Sequence, residues 1–164
     1  MSALNKNARV WYFAYGSNMQ GATFEGRRGM HPSEAMCARL DGYRLCFDLP
    51  VGPGERGVAN LEVVAEAHVY GVIYSLSPAE LSFLDRTEGV DRGYYERQKV
   101  LVTTLSGKRV GAVTYVSPHG TSGRKPSHRY LGLLLEGARE HGLPAQYVRS
   151  LEGLELAVDE RVKA

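Results

Sequence analysis

The chain has 164 residues, 43% of them hydrophobic and 23% charged, with a formal net charge of +2. That length suits one domain, residues 1–164, with a sizeable core, and the near balance of charge excludes the basic surface of a nucleic-acid binder or of a protein held on an anionic membrane. The 19 glycines call for many tight turns, which favours a loop-rich α+β fold over a helical bundle.

From the N-terminus, "MSALNKNARV" contains no apolar run of signal-peptide length, and residues 1–8 read as flexible. Residues 10–15, "VWYFAY", form the first strand. "GATFEGRRGMHPSEAM" is punctuated by Gly and Pro and reads as loop with one short helical turn. "YRLCFD" at 43–48 alternates Tyr43, Leu45 and Phe47 with Arg44, Cys46 and Asp48, the pattern of a half-buried strand. Cys37 and Cys46 form no Cys-x-x-Cys pair, and two scattered thiols suit a reducing, cytoplasmic compartment.

"GVANLEVV", "HVYGVIYSL", "RQKVLVTTL" and "KRVGAVTYV" follow as strands rich in β-branched residues and Tyr, which brings the number to six. "SGK" is the hairpin turn between the last two. Ser77, Pro78 and Glu80 open a helix over 78–88 with a capping box, Leu81 and Leu84 line its inner face, and Gly89 ends it. A second helix covers 127–141, with Tyr130, Leu131, Leu134, Leu135 and Ala138 on its apolar side. Gly142 stops it, and a further short helix runs from Pro144 to about Glu152. The longest aliphatic stretch, "LGLLL" at 131–135, is far short of a membrane span.

Two places invite chemistry. After the first strand, Gly16-Ser17-Asn18 makes an abrupt polar corner, and Ser17 with Gln20 matches a capping box that starts a helical turn at Asn18. Gly16 either lets a bound group approach the backbone closely or takes positive φ. The free N–H groups of such a start attract a carboxylate or an oxyanion; a plain strand-to-helix turn has the same composition.

The other place is Glu88, the last residue before Gly89, where the helix dipole is negative and Lys or Arg is favoured. Partial burial near helix C-terminal carbonyls raises a carboxyl pKa, which suits a general base working near neutrality. A surface Glu paired with Arg86 or Arg92 fits the same sequence. Tyr94, Tyr95 and Tyr130 are as compatible with core packing as with a site, and His128 beside basic neighbours reads as a solvated residue. No cluster of Cys, His and carboxylates has metal-ligand spacing, and neither a phosphate loop nor a Gly-x-Ser-x-Gly elbow occurs.

Three separated segments in order, "YFAYGSNM", "LDRTEGVDRGYY" and "PSHRYLGLLLEGAREHGLPAQYVRSL", resemble the γ-glutamylcyclotransferase family over nearly the whole chain. The resemblance implies a small mixed β-barrel of about six strands flanked by helices. It implies that Tyr15, Gly16, Ser17, Asn18 and Met19 match the substrate loop, that Glu88 is the catalytic acid/base, and that Tyr95 and Tyr130 contact substrate. The implied reaction releases 5-oxoproline from a γ-glutamyl group by attack of its own α-amine, with no cofactor or metal, on a small-molecule substrate, in a protein that is often a homodimer. Residues 20–34 match no motif of the family. A cyclotransferase for γ-glutamylamines or for a γ-glutamyl biosynthetic intermediate, and a non-catalytic module that binds small carboxylates, are the alternatives.

Overall fold

The uninterrupted apolar run at the start of the chain is buried on both faces because it lies in the middle of a sheet that has helices against it. In the computed structural model, which describes residues 8–158, β1 (Val10–Ala14) pairs antiparallel with β3 (Gly57–Leu76) from Val10↔Leu76 to Ala14↔Val72. Its other edge meets β5 (Arg109–Val116) in parallel at Tyr12↔Val113. β2 (Ala35–Pro50) and β4 (Glu96–Thr104) complete a closed barrel in the order β1-β3-β2-β4-β5. Closure leaves no free edge in the barrel wall, and inward side chains such as Phe13, Leu40, Ile73 and Val102 are wholly or almost wholly buried.

The barrel has five strands because the two segments read as "GVANLEVV" and "HVYGVIYSL" are one continuous strand of 20 residues. The pairing of β3 with β2 shifts register between Asp41↔His68 and Tyr43↔Val63, so the break in pattern at residues 64–68 is a break in register within the strand. β4 and β5 form the expected hairpin from Glu96↔Val116 to Thr103↔Arg109.

Three α-helices pack outside: α1 (Pro78–Thr87), α2 (His128–Glu140) and α3 (Ala145–Glu152). The capping box of α1 is formed, with Ser77 Oγ accepting from the Glu80 N–H and Glu80 Oε1 accepting from the Ser77 N–H, both at 3.1 Å. Ser127 caps α2 by accepting from the Tyr130 N–H at 3.1 Å. Gly137 of α2 lies directly on the corner after β1: a Cβ there would sit 2.5 Å from the backbone carbon of Met19. The segment read as loop holds one wide helical turn, Ala22–Arg27. Residues 1–7 of the N-terminal segment read as flexible lie outside the described residues. Among the described residues no helix is long and apolar enough to cross a membrane.

Candidate active site

At the end of β1 the chain makes a single tight turn, Ser17–Met19. The N–H groups of Met19 and Gln20 are spent within it, on the carbonyls of Gly16 at 3.0 Å and Ser17 at 3.1 Å. The capping box expected of Ser17 and Gln20 does not form. Gly16 takes the cap position, which places Ser17 inside the turn, and the Gln20 side chain bonds Glu136 and Thr23 instead. Gly16 has φ of −116°, so its glycine answers to crowding: a Cβ there would lie 3.0 Å from the Tyr130 hydroxyl.

Asn18 is the hub of the corner. Its Nδ2 donates to Glu88 Oε1 at 3.1 Å and to the Tyr12 hydroxyl at 3.0 Å, while its Oδ1 accepts from Arg28 Nε at 2.7 Å. The orientation of the amide follows from its neighbours, because a guanidinium only donates and a carboxylate accepts. The Tyr74 hydroxyl holds the Asn18 carbonyl from below at 2.8 Å.

Glu88 occupies the C-cap of α1, where its N–H is bonded to the Leu84 carbonyl at 2.9 Å and Gly89, at φ 69°, turns the chain away. The side chain points inward. Among the described residues it pairs with neither Arg86 nor Arg92, which stack on Phe83 and Tyr94 respectively. Burial raises its pKa above the ordinary value of 4.5, against the opposing pull of the Arg28 charge and the Asn18 hydrogen bond. The direction is the one expected from the sequence, and burial supplies it.

Tyr95 and Tyr130 bracket one residue of β3, Ala59. The Ala59 N–H donates to the Tyr130 hydroxyl and the Tyr95 hydroxyl donates to the Ala59 carbonyl, both at 3.0 Å. Tyr130 therefore keeps its own hydrogen for another acceptor. Burial pushes its pKa up to about 12, moderated by the Ala59 N–H, and burial raises Tyr12, Tyr15, Tyr95 and Tyr115 further still. These phenols are neutral hydroxyls at any physiological pH.

All these groups meet around a cavity of about 200 Å³. Tyr15, Gly16, Ser17, Asn18, Glu88, Tyr95 and Tyr130 line it, bringing seven positions named from sequence onto one surface. Met19 is the exception. It is fully buried in the core, its N–H is used by the turn, and it does not line the cavity. Five lining residues escaped the sequence reading: Tyr12, Arg28, Val58, Ala59 and Tyr115. Among the described residues no group of three or more His, Cys, Asp or Glu side chains could hold a metal ion.

Residues 68–151 match the model of the AIG2-like family. The chain is 33% identical over 150 residues to the γ-glutamylcyclotransferases of Bos taurus and Homo sapiens, covering 88% of this chain and 78% of each relative. A solved structure of a γ-glutamyl cyclotransferase superposes with a TM-score of 0.83 at 28% identity, covering 95% of this chain and 93% of the other. With its barrel, its Gly-Ser-Asn corner and its inward carboxylate, the chain belongs to the γ-glutamylcyclotransferase family.

Proposed function

We propose that this protein is an enzyme that converts a γ-glutamyl amino acid or peptide into 5-oxoproline and a free amino acid or peptide. The observation that carries the reading is the 3.1 Å bond from Asn18 to Glu88, which fixes a carboxylate of raised pKa inside a cavity whose other walls are tyrosine hydroxyls, backbone and the Arg28 guanidinium.

The chemistry faces a protonation barrier. An α-ammonium has a pKa near ~8 and an unperturbed Glu near ~4.3, a mismatch of about four units or ~5 kcal/mol. Raising the Glu88 pKa lessens that mismatch. Glu88 takes one proton from the α-ammonium, and the amine nitrogen attacks the γ-carbonyl carbon. A second proton leaves that nitrogen as the new C–N bond forms and ends on the departing amine, which therefore leaves as an ammonium. The bond to the leaving nitrogen then breaks, and Glu88 returns a proton to that nitrogen. No water is consumed, and holding the chain in its folded conformer makes ring closure effectively unimolecular.

Arg28, the one cation lining the cavity among the described residues, suits the substrate α-carboxylate. That leaves the N–H group of Asn18, which the turn does not use, and the Tyr130 hydroxyl, toward which the Ser17 N–H is directed, for the oxyanion. One such donor is worth roughly 3 kcal/mol in the transition state. The cytoplasm is the compartment we assign, since Cys37 and Cys46 are both free thiols.

The experiment is release of 5-oxoproline from a panel of γ-glutamyl dipeptides, with wild type and Glu88→Gln. Turnover by wild type and a loss of ~100-fold or more in the variant are expected. Wild-type turnover in a folded Glu88→Gln protein would exclude Glu88 as the base.

A further inference from the structure

A second cavity, of about 530 Å³, opens beside the first, and the residues common to the two linings are Glu88 and Tyr95. An acid that hands a proton to a leaving nitrogen must reach that nitrogen. On the cyclotransferase reading, the scissile bond therefore lies against Glu88, at the boundary. The glutamyl part fills the inner cavity, and the leaving group has the outer one.

The outer cavity has its own chemistry. Leu49, Pro50 and the ring of Tyr94 supply apolar wall, and Arg92 is its fixed positive charge. The Arg92 guanidinium carbon sits 5.2 Å from the centroid of the Tyr94 ring, and Arg92 has no ion pair among the described residues. Stacking on an aromatic face orients the planar group while its N–H edge stays unspent.

The backbone under Arg92 is also held. It ends the tight turn Val90–Arg92, which is flanked by Gly89 and Gly93 at φ 69° and 74°. His119, from the β5–α2 connection, bonds the Gly93 carbonyl through Nε2 at 2.8 Å. A carbonyl only accepts, so that nitrogen carries the hydrogen, and the bond ties the two sides of the cavity rim together.

We propose that the outer cavity is the leaving-group subsite and that Arg92 binds the α-carboxylate of the departing amino acid. The inference rests on the cyclotransferase reading. It assigns the preferred substrates as γ-glutamyl amino acids with a free carboxylate and an apolar side chain, over γ-glutamylamines. An amine without a carboxylate leaves the guanidinium edge without a partner, and a leaving group that carries a second ammonium meets like charge.

The test is a matched pair, γ-glutamyl-alanine and γ-glutamyl-ethylamine, which differ only by the carboxylate. 5-Oxoproline release is measured with the full chain, Arg92→Ala and Arg92→Lys, with thermal melts as the check on folding. Wild type should favour the dipeptide by about tenfold or more in kcat/KM, the size expected of a charge-assisted contact. Arg92→Ala should erase the preference through KM rather than kcat, and Arg92→Lys should restore part of it. Equal use of both substrates by wild type, or an intact preference in Arg92→Ala, overturns the subsite and leaves the cyclotransferase reading standing. No 5-oxoproline from either substrate overturns both. Should Arg92→Ala fail to fold, the wild-type ratio and Arg92→Lys still decide.

Discussion

Asn18 and Glu88, separated by 70 positions in the chain, are joined by a hydrogen bond of 3.1 Å. The bond couples the corner after β1 to the end of α1, and through Asn18 Oδ1 it extends to Arg28 at 2.7 Å. Each of these groups biases the protonation of Glu88.

Asn18 and Arg28 both hold the Glu88 pKa down against burial. Removing either, as in Asn18→Leu or Arg28→Gln, raises it further. The acid limb of kcat/KM should therefore move to higher pH in both variants, while the maximal rate falls. A pH–rate profile checks the direction, and an unmoved or lowered limb contradicts it.

Glu88 also carries a stability cost. Its folded pKa lies above the ordinary 4.5, so the folded state prefers the protonated form. The associated stability is present below the unfolded pKa and is lost as pH rises through the folded value. Glu88→Gln should therefore melt higher than wild type at pH 8, with the difference vanishing below about pH 4. Melting curves across that range decide it.

Tyr130→Phe removes the acceptor of the buried Ala59 N–H, and Tyr95→Phe removes the donor to the carbonyl of the same residue. An orphaned buried donor costs about 1–3 kcal/mol, whereas a carbonyl with a second lone pair loses nearer ~1 kcal/mol. Denaturant unfolding should rank Tyr130→Phe as the more destabilised of the two.

Gly137→Ala would place a Cβ 2.5 Å from the Met19 backbone carbon and 2.6 Å from the Gln20 nitrogen. Backbone cannot swing aside as a side chain can, so α2 and the Gly-Ser-Asn corner must separate. A loss of about 1–3 kcal/mol in stability is expected from overpacking. A fall in kcat/KM should accompany it, with Gly132→Ala on the same helix, where no atom lies within 4 Å of the new Cβ, as the control.

Much of this site was legible in the residues because local rules carry it. The Ser77–Glu80 box, Gly89 and the misplaced acid at Glu88 depend on neighbours a few positions away, and they stand as read. Tyr12 was hidden because both faces of β1 are buried: with no alternation between polar and apolar positions, nothing marks the side chain that looks into the cavity. Arg28 was hidden for the opposite reason, since it lies in an aperiodic segment and its value comes from tertiary contact with Asn18. Met19 was carried along with a tetrapeptide it adjoins, although the tight turn directs it into the core. The sixth strand came from reading a lapse in alternation as an end, where long-range pairing shifts register and carries on.

In the mechanism proposed above, Arg28 and Glu88 face, before turnover, a zwitterionic glutamyl group with one charge for each of theirs. Cyclisation turns the ammonium into an uncharged lactam nitrogen while the carboxylate persists. Once Glu88 is again ionised, two anions share a single guanidinium in a space of about 200 Å³. On the proposed mechanism, the half-buried acid that starts the reaction thus also helps to expel its product.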